Sequence, residues 1–313
     1  MSKMIQFGVI ARNFSSSSAV QSAIKNVTVI GGGLMGSGIA QVSAQAGQNV
    51  TLVDTSSEVL AKAQKSIAGN LGRVAKKIYK ENPQEGEKFV SESLARIKTT
   101  TDPVEASKNS DLVVEAIVEN LSVKHKLFKQ LDAAAPAHTI LASNTSSLSI
   151  NEISSVVKRK DKFGGLHFFN PVPVMRLLEV VRGAETSQET YQSMMAWGKA
   201  VGKTCITCKD TPGFVVNRLL VPYICEAVRL FERGDASARD IDIAMKLGAG
   251  YPMGPLELAD YVGLDTNKFI LDGWHAKYPD QQLFKPIPLL NKLVSEGKLG
   301  VKTGEGFYKY DKK

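Results

Sequence analysis

Three observations set the fold class of this chain. Short β-branched runs alternate with helical stretches through its first two-thirds, Gly31-x-Gly33-x-x-Gly36 sits on the first strand-to-helix turn, and after Pro212-Gly213 the texture turns helical. Together they predict an α/β protein: a Rossmann-type doubly wound sheet with a helical-hairpin insertion, followed by an all-α dimerisation domain. With 313 residues, 43% of them hydrophobic, the chain can bury a core in each of two domains. We expect the sheet domain over 25–210, its insertion at about 56–95, and the helical domain over 211–313.

Residues 1–24 stand apart. They hold Lys3, Arg12 and the serines Ser15 to Ser18, and no acidic residue occurs before Asp54. Arg-containing, Ser-rich and acid-free is the composition of a mitochondrial transit peptide, which would not belong to the fold. No apolar run reaches the roughly 18 residues of a membrane span, so a soluble protein is expected.

The first element follows at once. The run Asn26 to Ile30 leads into Gly31-Gly32-Gly33-Leu34-Met35-Gly36, a helical segment runs from Leu34 to Ala46 and stops at Gly47, and a second strand, Asn49 to Val53, ends at Asp54. Strand, glycine turn, helix, strand and terminal acid in this order form a dinucleotide-binding fingerprint. Gly31 permits the tight turn, Gly33 lets a pyrophosphate approach the backbone, and Gly36 lets the helix pack closely. The helix N-terminus offers free N–H groups and a partial positive charge to the phosphates. Asp54 would accept hydrogen bonds from the ribose hydroxyls and repel a 2′-phosphate, which selects NAD over NADP. FAD is the competing cofactor, and nothing else in the sequence suggests flavin.

Some forty residues separate Asp54 from the next strand near Ile97, too many for one crossover helix. Thr55-Ser56-Ser57-Glu58 has capping-box spacing and starts a helix toward Ile78. Glu81 to Gly86 reads as a turn and Glu87 to Leu94 as the return helix. The first arm carries Lys62, Lys65, Arg73, Lys76, Lys77 and Lys80. Such a run is either a solvated face or a surface for a phosphorylated substrate. Nucleic acid is disfavoured, because no recognition motif occurs and no aromatics interleave the basic arm.

The sheet resumes at Leu112 to Val118, apolar apart from Glu115. A helix from Leu121 to Ala135 and a strand from Thr139 to Ser143 follow. Glu119 and Asn144-Thr145-Ser146-Ser147 lie past these strands, where an open α/β sheet binds its ligand. Small polar residues there serve equally as a turn or a helix cap.

Two later runs each carry one polar residue. His167 lies in Gly164-Gly165-Leu166-His167-Phe168-Phe169-Asn170-Pro171, and Glu179 in Leu178-Glu179-Val180-Val181. If the chain reverses about Pro173, each is six residues from it and the two face each other across a hairpin. A carboxylate on one imidazole nitrogen fixes the tautomer and favours proton uptake at the other. A lone strand histidine is more often a core residue, but a carboxylate in an apolar strand needs a partner.

Three cysteines argue against a disulfide framework, and Cys205-x-x-Cys208 sits in an alternating run, Lys203 to Lys209, that places the two on opposite faces. The four histidines have no metal-ligand spacing, so no metal is expected. Beyond Asp210-Thr211-Pro212-Gly213 a helix over Phe214 to Arg233 presents Phe214, Leu219, Leu220, Tyr223, Ile224, Ala227 and Leu230 on one broad face. Further helices follow near 238–247, from Leu256 and near Leu289. A helical unit this small and apolar points to a homodimer. Asn217, polar near the domain boundary, either caps a helix or reaches the cleft.

Gly31 to Gly36, Ala142-Ser-Asn-Thr-Ser-Ser147, His167-Phe-Phe-Asn-Pro171, Asp210-Thr-Pro-Gly-Phe214 with Asn217-Arg218, and Lys302-Thr-Gly-Glu-Gly-Phe-Tyr308 together resemble the short-chain L-3-hydroxyacyl-CoA dehydrogenases of mitochondrial fatty-acid β-oxidation. The likeness runs from about Lys25 to the C-terminus. It implies oxidation of an L-3-hydroxyacyl-CoA by NAD in the mitochondrial matrix, a homodimer, His167 as base and Glu179 as its partner. It further implies that Ser146 and Asn217 hold the substrate oxygens and that Asn170 lies on the nicotinamide side. Gly31 to Gly36, Asp54, Glu119, Lys124, Ser146 and Lys302 would contact the cofactor, and Ser146 and Lys77 the CoA. One hairpin contact, usually a serine in that family, is Asn70 here. Two alternatives stay open: a related NAD-dependent dehydrogenase of a free hydroxy or sugar acid, and a non-catalytic binding protein that keeps the fold.

Overall fold

The computed structural model describes residues 24–311. The transit-peptide expectation therefore falls almost wholly outside the described residues. Its last residue does not: Ile24 is 5% exposed and packs in the core, so it belongs with the sheet domain and not with the leader.

The chain forms β1 (Asn26–Ile30), α1 (Leu34–Gln45), β2 (Asn49–Val53), α2 (Ser57–Ile78), α3 (Pro83–Ala95), β3 (Ile97–Thr100) and α4 (Pro103–Ser107). Then come β4 (Leu112–Glu115), α5 (Leu121–Ala134), β5 (Ile140–Ser143), α6 (Ile150–Ser154), β6 (Phe163–Phe168), β7 (Leu177–Arg182), α7 (Gln188–Ala200) and β8 (Thr204–Lys209). The helical unit comprises α8 (Val216–Glu232), α9 (Ala238–Gly248), α10 (Pro255–Val262), α11 (Leu264–Lys277) and α12 (Pro288–Ser295).

The eight strands make one sheet in the order β3-β2-β1-β4-β5-β6-β7-β8. Strand order reverses at β1, which pairs in parallel with both β2 and β4 and so opens a crevice at their C-terminal ends. Helices cover both faces, which is why the strands read as nearly continuous apolar runs. Leu112 and Val114 point into one core with Leu52, Leu166 and Trp197, whereas Val113 joins the other with Phe128, Leu141 and Phe163. Within this sheet, among the described residues, the one antiparallel pairing is β6 with β7, and its register sets His167 opposite Glu179.

The insertion is a hairpin of α2 and α3. Leu60, Ala63, Ile67, Leu71 and Ala75 form the buried stripe of α2, and Ser56 caps it by accepting from the Val59 N–H. The turn is shorter than expected. Asn82 accepts from the Glu85 N–H and Pro83 occupies the first helical position, so residues 83–86 belong to α3.

Two other expectations need correction. β4 ends at Glu115, not Val118, because the Glu115 carboxylate accepts the Ile117 N–H and turns the backbone out of the ladder. Leu219 is not on the packed face of α8 but 69% exposed. The short α4 went unread; Asp102 starts it by accepting from the Val104 and Glu105 N–H groups.

The helical unit has its own core: Val221, Ile224, Cys225 and Val228 of α8 meet Leu256, Leu264, Leu271, Trp274 and Leu290. Two buried carboxylates pin the C-terminal segment beside it. Asp260 accepts from the Phe307 and Tyr308 N–H groups and the Tyr310 hydroxyl, while Asp242 accepts from the Tyr308 hydroxyl and the Leu256 and Glu257 N–H groups.

Candidate active site

The crevice beside β1 is shaped for a dinucleotide. Gly31, at φ +109°, donates its N–H to the Val53 carbonyl at 2.7 Å, and a Cβ on it would lie 2.4 Å from the Ala116 carbonyl oxygen. At Gly36 a Cβ would lie 1.8 Å from the Gly31 oxygen, so α1 touches the β1 turn backbone to backbone. Gly33 has the opposite surroundings, with nothing within 4 Å of where a side chain would begin. It is the N-cap of α1 and supplies no side-chain cap, whereas α2, α3, α5 and α7 are capped by Ser56, Asn82, Asn120 and Ser187. The first N–H groups of α1 thus face an open space, the arrangement a pyrophosphate requires. Gly32, Leu34 and Met35 complete the turn. Asp54 ends β2 beside it and accepts from the Gly32 N–H at 2.8 Å and the Ser56 N–H at 3.1 Å.

Across the crevice, His167 and Glu179 form the cross-strand pair. The Nδ1–Oε2 distance is 2.6 Å, and the residues are 4% and 0% exposed. The other Glu179 oxygen accepts the N–H groups of Val215 and Val216, at 3.1 and 2.9 Å, where α8 begins. All the donors Glu179 needs are therefore in place. With Nδ1 engaged, Nε2 is the nitrogen left to exchange a proton. The imidazole lies between Phe169 and Phe214, with ring centroids 4.5 and 5.5 Å away. Phe214 has φ +52°, an uncommon left-handed conformation for a bulky residue, and it directly precedes the two N–H groups that bind Glu179.

The third wall is the Asn144–Ser147 turn after β5. Asn144 Oδ1 accepts the Phe168 N–H at 2.9 Å, next to the histidine. One oxygen of Glu119 accepts from the Thr145 hydroxyl, the Ser146 N–H and both the N–H and hydroxyl of Ser147. Burial pushes the Glu119 carboxyl upward, but the Lys124 ammonium and these hydrogen bonds outweigh it and hold it below the ordinary glutamate value. Asn217 reaches over from α8, its Nδ2 donating to the Ser146 carbonyl at 3.4 Å.

The structure therefore brings His167, Glu179, Ser146, Asn217 and Glu119 to one crevice mouth. Lys124 is nearby but 1% exposed, with its ammonium 2.5 Å from Glu115 and 3.2 Å from Glu119, so it reaches the site only through Glu119. Asn170 is exposed on the loop after β6. Lys302 is ion-paired with Asp265 in the helical unit and is not brought into this cluster. On α2, Lys77 is exposed and Asn70 accepts from Arg73 at 2.6 Å. Sequence reasoning placed Asn144 at the ligand end of the sheet but missed its bond to the Phe168 N–H, the Val215 and Val216 N–H groups, and Phe214 as a wall beside His167. Backbone donors leave no sequence signal.

Comparison with known proteins agrees with this geometry. Residues 26–211 match the family model for the 3-hydroxyacyl-CoA dehydrogenase NAD binding domain, and residues 213–310 that for the 3-hydroxyacyl-CoA dehydrogenase C-terminal domain. Mitochondrial hydroxyacyl-coenzyme A dehydrogenase of Sus scrofa is 60% identical over 300 residues, covering 95% of this chain and 96% of the relative. Its Homo sapiens counterpart is 59% identical over 302 residues, covering 96% of each. The crystal structure of (S)-3-hydroxybutyryl-CoA dehydrogenase from Ralstonia eutropha superimposes with a TM-score of 0.87 at 43% identity, covering 93% of this chain and all of that one. The chain belongs to the 3-hydroxyacyl-CoA dehydrogenase family.

Proposed function

We propose that this protein oxidises L-3-hydroxyacyl-CoA to 3-oxoacyl-CoA with NAD, and that the buried His167–Glu179 pair is its proton-transfer centre. The observation that carries the reading is the 2.6 Å contact at Nδ1, which leaves Nε2 as the basic atom. Bound NAD supplies the acceptor for the hydride that leaves C3. His167 takes the proton of the C3 hydroxyl, so the alcohol loses two electrons and two hydrogens and becomes a ketone. Glu179 stabilises the resulting imidazolium in a site that excludes water, where the attraction is stronger than in solution. Ser146 and Asn217 orient the hydroxyl and thioester oxygens. Asp54, Glu119 and the α1 N-terminus hold the cofactor, with Lys124 behind Glu119, and the family likeness assigns further cofactor contacts to Asn170 and Lys302.

The acyl-CoA reading draws support from the hairpin. Lys62, Lys65, Arg73, Lys76, Lys77 and Lys80 are all exposed, and among the described residues none forms an ion pair, so their charge is available to the CoA phosphates. Ser146 and Asn70 would add neutral contacts. A homodimer fits the helical unit, where Leu219, Leu247, Tyr261 and Phe269 are 69%, 83%, 70% and 64% exposed. The relatives named mitochondrial and the acid-free leader agree with work in the matrix. No described helix is long and apolar enough to cross a membrane.

The test is NADH oxidation, followed by absorbance, with acetoacetyl-CoA and with free acetoacetate as separate substrates. Turnover with the thioester alone is expected. Turnover with the free acid alone would move the reading to a hydroxy-acid dehydrogenase, and no turnover with either would leave a binding protein.

A further inference from the structure

Glu115 is the one charged residue in β4, whose other members Leu112, Val113 and Val114 are all 0% exposed. It too is 0% exposed, and no motif considered above uses it. An ionised carboxylate in such a place is costly unless it is paired and hydrogen-bonded. Both oxygens have partners: Oε1 accepts the Ile117 N–H at 2.8 Å and the Lys124 ammonium at 2.5 Å, and Oε2 accepts the Ser143 hydroxyl at 2.6 Å.

Lys124 and Ser143 each lead to the active site by one further bond. Lys124 goes on to Glu119, which gathers Thr145, Ser146 and Ser147. Ser143 accepts the Thr145 N–H at 3.3 Å, and the Glu115 carbonyl accepts the Asn144 N–H at 2.7 Å. Asn144 in turn holds the backbone beside His167. Two carboxylates share one ammonium, so removing either charge changes how tightly the other holds it.

We propose that Glu115 is a positioning residue for the reaction: by anchoring Lys124 and Ser143 it fixes Glu119 and the Asn144–Ser147 turn against cofactor and substrate. The inference rests on the roles given above to Glu119 and Ser146. Without the Glu115 charge, Lys124 has Glu119 as its only counter-ion. The ammonium draws Glu119 down, and the hold of Glu119 on Thr145, Ser146 and Ser147 slackens. An amide fits the same space, since its oxygen can serve Ile117 and Lys124 while its NH2 donates to Ser143.

The experiment compares Glu115→Gln, Ser143→Ala and Glu119→Gln with the unaltered protein, measuring kcat, KM for NAD, KM for acetoacetyl-CoA and Tm. For Glu115→Gln the KM for NAD should rise on the order of tenfold, about one charge-assisted hydrogen bond's worth of binding, while the KM for the thioester changes far less. Ser143→Ala, which leaves every charge in place, should shift the same constant less and decides the matter if Glu115→Gln fails to fold. A lowered Tm with unchanged constants in both variants, while Glu119→Gln raises the KM for NAD, would overturn the inference and leave the site standing. Silence of all three would overturn the site assignment as well.

Discussion

Replacing Glu179 by glutamine changes one atom type in a fully buried position and tests the proposed proton-transfer centre directly. The geometry dictates how the amide must sit. The Val215 and Val216 N–H groups tolerate only an acceptor, so the amide oxygen faces them and the NH2 faces His167. An NH2 donating to Nδ1 forces the imidazole proton onto Nε2, the atom that has to accept the substrate's proton. The charge is lost as well. With charge centres about 4 Å apart and an effective dielectric near 20, carboxylate and imidazolium attract by about 4 kcal/mol, roughly a thousandfold in rate. The wrong tautomer adds to this; an equivalent change in a Ser-His-Asp triad costs about ten-thousandfold. We expect kcat to fall by about three to four orders of magnitude, with KM for acetoacetyl-CoA within a few-fold of its starting value. Steady-state NADH oxidation on protein verified as folded by circular dichroism is the assay. A folded variant with kcat within tenfold of the parent would refute the reasoning.

Other substitutions separate the remaining roles. Asp54→Ala should relax discrimination against NADP; an unaltered ratio of kcat/KM for NAD and NADP would remove its assigned duty. Lys76→Ala with Lys77→Ala should raise KM for acetoacetyl-CoA and flatten its salt dependence while leaving KM for NAD alone. Equal salt dependence in parent and variant would mean those lysines only face solvent. Because the Glu119 carboxyl is held below its ordinary value, it contributes stability above the ordinary carboxylate range, and that contribution disappears as pH falls through the lowered value. Glu119→Gln should therefore lose less of its unfolding free energy than the parent between neutral and acid pH, as read by urea denaturation at each.

Much of the site was legible because its constraints are local. A carboxylate and an imidazole equidistant from Pro173 predict a cross-strand pair, and the β6–β7 register places them so. The glycine turn, α1, β2 and Asp54 form one continuous unit whose spacing allows few other outcomes. What stayed hidden depends on groups far apart in sequence. No pattern within 163–182 says that the Val215 and Val216 N–H groups will reach Glu179, since backbone donors belong to every residue. Glu115 is a nearer miss. A single charge in an apolar strand raised the same demand for a partner as Glu179 did, and Lys124 lay nine residues on. Leu219 was misplaced for a different reason: helical periodicity identifies an apolar face without saying what covers it.

The two oxygens of Glu179 serve different masters. One orients an imidazole grown from the sheet, and the other holds down the first turn of the helical unit. With the sheet complete but α8 undocked, Glu179 keeps its bond to His167 and lacks the two backbone donors on its other oxygen. The buried carboxylate therefore has its full set of donors only where the two units meet.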